Sequence, residues 1–251
     1  MRMLQVVISR TGFRQIAGNP ERLVLLDILI LLAVRLQARL LVIPAGFLAA
    51  RNEQEMRALV VEVGRRALAA GIAVIGGVDA AWVATKRART LDDAVRAGRL
   101  PFFGFAVGTV VLGPESVHPW RQVSIDNQNA EYVAEENLPG AGRVVLIDGL
   151  PVAVLVCGEL YNRRARAAIC ALRPRLVVDT GHESMGQGLI PAMRSVARAA
   201  GCPVAHAHHL AGYQTQRIHF INAQGGRESV PANAHVERSG RLWAAWVLRD
   251  L

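Results

Sequence analysis

The chain has 251 residues, 52% of them hydrophobic, with a mean hydropathy of +0.25 and no composition shift along its length, so one large core and a single domain over 1–251 are expected. Its formal charge is +9, yet aromatics make up only 5% and the basic residues are dispersed, with R-R-A-R at 163–166 and K-R-A-R at 86–89 the local clusters. Base stacking needs aromatics and phosphate tracking needs a contiguous basic stripe, which argues against a nucleic-acid partner.

In chain order, short valine- and isoleucine-rich runs alternate with longer Ala/Leu/Arg stretches of helical period, the pattern of an α/β protein. Leu4 to Ile8 reads as a strand and Pro20 to Ala38 as a helix opened by proline, followed by a strand from Leu40 to Ile43 that Pro44 ends. The apolar run from Leu23 to Val34 is interrupted by Asp27, flanked by Arg22 and Arg35, and shorter than the roughly 20 residues of a membrane span. A buried helix and no membrane partner are expected there. Glu53 to Ala70 is a helix closed by Gly71, and Ile72 to Ile75 the next strand. Gly76-Gly77 and Gly225-Gly226 lack the Gly-Lys-Ser/Thr ending of a phosphate loop and read as turns, so no cofactor is expected.

Phe102 to Leu112, Val144 to Ile147 and Val152 to Val156 follow as strands, the last two joined by the turn I-D-G-L-P. Arg163 to Leu172 reads as a helix, Leu176 to Asp179 as a strand, Leu189 to Ala200 as a helix ended by Gly201, and Pro203 to Ala207 as a strand. Phe220 to Asn222 and Leu242 to Leu248 finish the sheet, and Ala84 to Arg99 and Gly225 to Ser239 read as exposed connections. Three cysteines, Cys157, Cys170 and Cys202, together with a first segment M-R-M-L-Q-V-V-I-S-R that carries no signal pattern, point to a reducing, cytoplasmic setting.

The most informative stretch is V-A-V-L-V-C-G-E-L-Y, where a buried-strand run stops at a thiol followed by glycine and a carboxylate. A strand presents a nucleophile in this way. Lys86 is the only lysine in the chain. His182 follows the strand Leu176 to Asp179, and its imidazole, with Glu183 or Glu159 to orient it, is a candidate base. The alternative for Cys157 is a small buried cysteine without chemistry. His206 and His208, two apart on a strand, share one face with His209 opposite. With His182 and Cys157 they would offer the nitrogen and sulfur ligands zinc takes, but H-A-H-H lacks the paired spacing of zinc motifs, and no metal is expected.

The chain resembles the nitrilase superfamily, the carbon-nitrogen hydrolases with a Glu-Lys-Cys triad. V-L-V-C-G-E-L-Y is similar to the family's strand and nucleophile elbow, with Cys157 as nucleophile and Glu159 at the acidic position two residues later. L-R-P-R-L-V-V-D-T-G-H-E-S and S-V-A-R-A-A-G-C-P-V-A-H-A-H-H-L-A-G resemble the next strand, helix and strand. L-L-V-I-P-A-G-F-L stands where the family carries Pro-Glu, and W-R-Q-V-S-I where it carries Tyr-Arg-Lys, so Ala45 replaces the glutamate and Gln122 the lysine. Glu131 falls near the family's second glutamate. The resemblance implies an α-β-β-α sandwich, a homodimer or higher homo-oligomer, and a small amide-like substrate. Cys157 would be the nucleophile, Gln122 the oxyanion donor, and His182, Glu131 or Glu159 the base. The two departures equally allow a catalytically inactive binding or assembly subunit.

Overall fold

In the computed structural model the described residues are 1–9, 15–82, 100–113, 118–124, 138–183, 188–210, 217–231 and 235–251. Strands β1 (Arg2–Ser9), β2 (Leu40–Val42) and β4 (Ala73–Ala80) run parallel, with β3 (Leu48–Ala50) extending the pairing of β4. Next to β4, β5 (Phe102–Gly108) and then β7 (Trp120–Arg121) add antiparallel. On the other side β9 (Leu150–Val156), β10 (Leu176–Glu183) and β11 (Val204–Leu210) are parallel neighbours, edged by β8 (Val144–Ile147) and β6 (Val110–Leu112). β12 (Arg217–Ile221), β13 (Arg227–Pro231), β14 (Val236–Ser239) and β15 (Leu242–Asp250) complete the set, β15 lying along β1 and β12 along β11. Among the described residues the two parallel groups pair at Ile8–His209 and Ser9–Leu210, at the ends of β1 and β11.

Period-two alternation sorts the side chains into layers. Leu41, Ile43 and Val74 pack against helices α1 (Asn19–Arg35) and α2 (Glu53–Ala69), while Leu40, Val42, Ala73 and Ile75 face Val152, Val154, Leu176, Val178, Ala205 and Ala207 of the other half. On the far side Ala153, Leu155, Val177 and Val204 pack on Ile169 of α3 (Arg163–Ala171) and on Met193 and Val196 of α4 (Leu189–Ala200). The result is an α-β-β-α sandwich, as the resemblance implied.

Local chemistry agrees with these elements. Asn52 caps α2 by accepting from Glu55 N at 2.8 Å, Asn162 caps α3, and α4 ends on Gly201 at φ 64°. Asp148 (φ 50°) and Gly149 (φ 77°) form the tight β8–β9 turn. The segment Leu23 to Val34 lies within α1, but Val24, Leu31 and Val34 are exposed, so this helix is buried on one face only. No helix among the described residues is long and apolar enough to cross a membrane.

Two sequence expectations need correction. Gly225 to Ser239 is not a bare connection, because β13 and β14 lie within it, β13 pairing with β12 and β14 with β15. Gly76 and Gly77 are not turn glycines but the middle of β4, where a Cβ would meet Ile43 Cγ1 at 2.4 Å and Ala45 Cα at 2.7 Å respectively. Glycine is there for close packing against the segment after β2, and the strand runs on to Ala80. Ala84 to Arg99 lies outside the described residues.

Candidate active site

Cys157 directly follows β9 and takes φ 51°, a left-handed backbone uncommon for a residue with a Cβ, so the elbow holds the thiol in a strained turn at the strand's end. Glu159 fixes that turn. Its fully buried carboxylate accepts from Val156 N (2.8 Å) and Val123 N (2.8 Å) and takes a bidentate ion pair from Arg143, at 3.0 Å on each oxygen. The Val156 bond closes the elbow on itself, the Val123 bond ties it to the segment after β7, and Arg143 ties it to the turn before β8. Glu159 does not orient His182, because both its oxygens are committed to Arg143 and the backbone.

His182, near the end of β10, neighbours the elbow because β9 and β10 are parallel and in register, Thr180 opposite Val156. Its Nε2 lies 2.8 Å from Asp79 Oδ1, and Phe102 covers its ring at a centroid distance of 4.1 Å. Both partners are buried. Burial alone would push the imidazole down. The negative charge of Asp79 and that of Cys157, each also a hydrogen-bond partner of the ring, more than reverse this and hold His182 up at about 10. The structure thus brings Cys157, His182 and Asp79 into one interacting group.

Asp79 is the residue that sequence reasoning missed. It shares the inward face of β4 with Ala73 and Ile75. The signal was present as a carboxylate inside the apolar run A-V-I-G-G-V-D-A, since a charge on a fully buried strand almost always has a partner. Ending the strand at Ile75 hid it.

Ala45 is fully buried in the segment after β2, and its carbonyl accepts from His209 Nε2 at 2.7 Å. His209 stacks beside His182, with centroids 6.5 Å apart. Gln122 is buried, its backbone N bonded to Phe102 O and its side-chain Nε2 donating to Ser124 O at 2.7 Å, which commits one of its two amide hydrogens. Ser124 Oγ in turn accepts from Asn162 Nδ2 at 2.8 Å, linking this segment to the cap of α3. Glu131 and Lys86 lie outside the described residues, as does the side chain of Glu183.

His206 and His208 point to the face opposite His209, as the alternation required. They stack at 5.0 Å instead of converging, and His219 continues the stack 6.2 Å from His208. The described residues contain no group of three ligating side chains suited to a metal ion. A cleft of about 500 Å³, lined by Arg57, Arg121, Arg143, Glu53, Phe103 and Trp120 among others, opens beyond the Arg143–Glu159 pair, and Cys157 is not part of its lining.

No protein-family model matches the chain, and neither does any curated protein sequence. Among solved structures, a mutant of the Nesterenkonia AN1 amidase from the nitrilase superfamily aligns at TM-score 0.63 and 14% identity over 98% of this chain and 90% of that one. The fold is that of the nitrilase superfamily. A double mutant of the same amidase in complex with acrylamide aligns at TM-score 0.62 and 15% identity, again over 98% and 90%. Another mutant, at TM-score 0.59 and 16% identity over 98% and 92%, carries the product of Michael addition of acrylamide at its active-site cysteine. On the nitrilase fold of the present chain, the strand ends that converge at the elbow carry Cys157, His182, Asp79 and His209, and an alanine after β2.

Proposed function

We propose that the protein is a thiol-dependent hydrolase or acyl-transfer enzyme acting on the carbon-nitrogen bond of a small amide-like substrate, with Cys157 as nucleophile and His182 as proton carrier. The observation that carries this reading is the parallel register of β9 and β10, which sets a basic imidazole beside a thiol on a strained elbow. Cys157 Sγ attacks the carbonyl carbon as the thiolate, and His182 holds the thiol proton. That proton passes to the leaving nitrogen as the C–N bond breaks, leaving a thioester. Water, or a second amine or hydroxyl, then attacks the thioester carbon while His182 takes its proton, and the thiol is released. With Nε2 engaged by Asp79, the proton moves through Nδ1. The remaining amide hydrogen of Gln122 is the side-chain donor for the oxyanion, a weaker one than an ammonium. Glu131 would complete the pocket, and pairing of sandwiches into a homodimer or larger oligomer in the cytoplasm is part of the same reading.

A second reading, a binding or assembly subunit without catalysis, is favoured by Ala45 and Gln122, which remove two of the three groups of the fold's usual triad. Thiol reactivity decides between them. Cys170 and Cys202 are both raised by burial, Cys202 to about 11, so they react slowly and are readily replaced by alanine. In that background Cys157 is expected to react with iodoacetamide at pH 7 at least tenfold faster than in His182→Ala. Equal rates in the two proteins would reject the Cys157–His182 pair and favour the second reading.

A further inference from the structure

We propose that Asp79 is the positioning carboxylate of a Cys157–His182–Asp79 triad, supplied from β4 in place of the carboxylate that the segment after β2 no longer carries. The proposal rests on the reading of Cys157 and His182 given above and extends it to a residue and a strand with no part in the family resemblance.

The geometry favours this role over simple burial of an acid. Asp79 Oδ1 meets His182 Nε2 at 2.8 Å, both side chains being buried, with Phe102 on the imidazole face. A hydrogen bond from Nε2–H to a carboxylate fixes the tautomer and presents the other ring nitrogen to the thiol. The segment after β2 is shaped around this contact. A Cβ at Gly46 would lie 2.8 and 2.9 Å from the two Asp79 oxygens and 2.9 Å from His182 Nε2, at φ 61°. Ala45 brings only a methyl group, and its carbonyl is held by His209 at 2.7 Å. Gly77 admits the same segment from the β4 side, since a Cβ there would sit 2.7 Å from Ala45 Cα. Alanine and two glycines thus clear the volume in which Asp79 reaches the imidazole. Arg22, fully buried in the opening turns of α1, lies within electrostatic reach of Asp79 and gives the carboxylate a second cation besides His182.

The other charged and titratable groups around His182 are Cys157, Asp179 earlier on β10 and His209 on β11. Asp79 is the carboxylate that hydrogen-bonds the ring.

The test is Asp79→Asn, nearly isosteric with the parent, in the background with Cys170 and Cys202 replaced by alanine. Two readouts are taken: the iodoacetamide rate of Cys157 from pH 5 to 9, and the ring-proton titration of His182 followed by NMR. A triad predicts that the rate at pH 7 falls by about tenfold, within the roughly 30-fold limit set by a thiolate returning to the free thiol value near 8.5, that the His182 midpoint moves down, and that Asp79→Glu recovers part of both. A merely structural aspartate would leave the pH profile and the His182 midpoint where they are, and that outcome overturns the proposal. If His182→Ala slows the thiol but Asp79→Asn does not, only the role of Asp79 falls. If His182→Ala has no effect, the functional reading itself falls. Should Asp79→Asn not fold, the parent protein still decides: a hydrogen-bonded His182 Nε2–H must appear as a low-field proton resonance that persists in Cys157→Ala, and a ring proton exchanging freely with water would contradict the triad.

Discussion

The Asp79–His182 and Asp179–His206 contacts use the same two residue types, at 2.8 and 2.6 Å, and both are buried, the first joining β4 to β10 and the second joining paired positions of the adjacent strands β10 and β11. They differ in where the proton rests. His182 faces two acids, Asp79 and Cys157, and is raised to about 10 against the effect of burial. Asp179 is raised well above the carboxylate range by burial and then by the charge of Glu159, while burial lowers His206 to about 3. A proton on His206 would also meet the stacked rings of His208 and His219. Both shifts favour the neutral form of the pair, in which the Asp179 carboxyl donates to His206 Nδ1. An aspartate beside a histidine makes a charged proton carrier only where the surrounding charges favour the imidazolium.

Breaking the first pair should produce the largest effect. His182→Ala is expected to cost about 10²- to 10⁴-fold in amide turnover, equivalent to roughly 3–5 kcal/mol of transition-state stabilisation, measured as ammonia release from simple amides. The next largest effect is on stability. Glu159→Ala leaves the Arg143 guanidinium buried without its bidentate partner, a loss of about 3–5 kcal/mol read in urea unfolding. In the second pair Asp179→Asn should be mild, because a neutral amide donor replaces a neutral acid donor to His206 Nδ1. Turnover should stay within about threefold and stability within about 1 kcal/mol.

The smallest change sharpens the contrast by pH. Neither ring nitrogen of His208 has a hydrogen-bond partner among the described residues, and burial followed by the neighbouring histidines lowers it well below its usual value. Below about pH 6.5 the unfolded chain binds a proton there that the folded chain refuses, so stability falls as pH falls. His208→Phe removes that term, and the acid unfolding midpoint should move to lower pH with turnover unchanged. His182 has the opposite sign. Its stabilisation is complete below about pH 6.5 and is lost as pH rises toward 10, so His182→Ala should flatten the alkaline side of the stability curve.

The layered fold was legible because buried strands and amphipathic helices leave strong periodic signals, as in Leu176–Val177–Val178, whose alternate side chains face different layers. The elbow was legible because V-L-V-C-G-E is a local pattern. His182 beside Cys157 followed from the sheet order that the family resemblance implies. Asp79 was not legible, because two glycines that serve close packing look like a turn, and reading them as one ends β4 at Ile75, five residues early. Glu159 was misread for a related reason: its partner Arg143 stands 16 residues away, and no local spacing announces a buried ion pair between segments. Long-range pairing of this kind depends on which strand ends converge, and that is a property of the sheet as a whole.

The central claim, that surrounding acids make His182 a charged partner for Cys157 while His206 stays neutral, is tested most directly by NMR titration of the histidine rings between pH 5 and 10, in the parent and in Cys157→Ala. His182 is expected to remain protonated past pH 8 in the parent and to lose its proton at lower pH once the thiol is removed, with His206 neutral throughout. A His182 midpoint near 6.5, unmoved by Cys157→Ala, would contradict the claim.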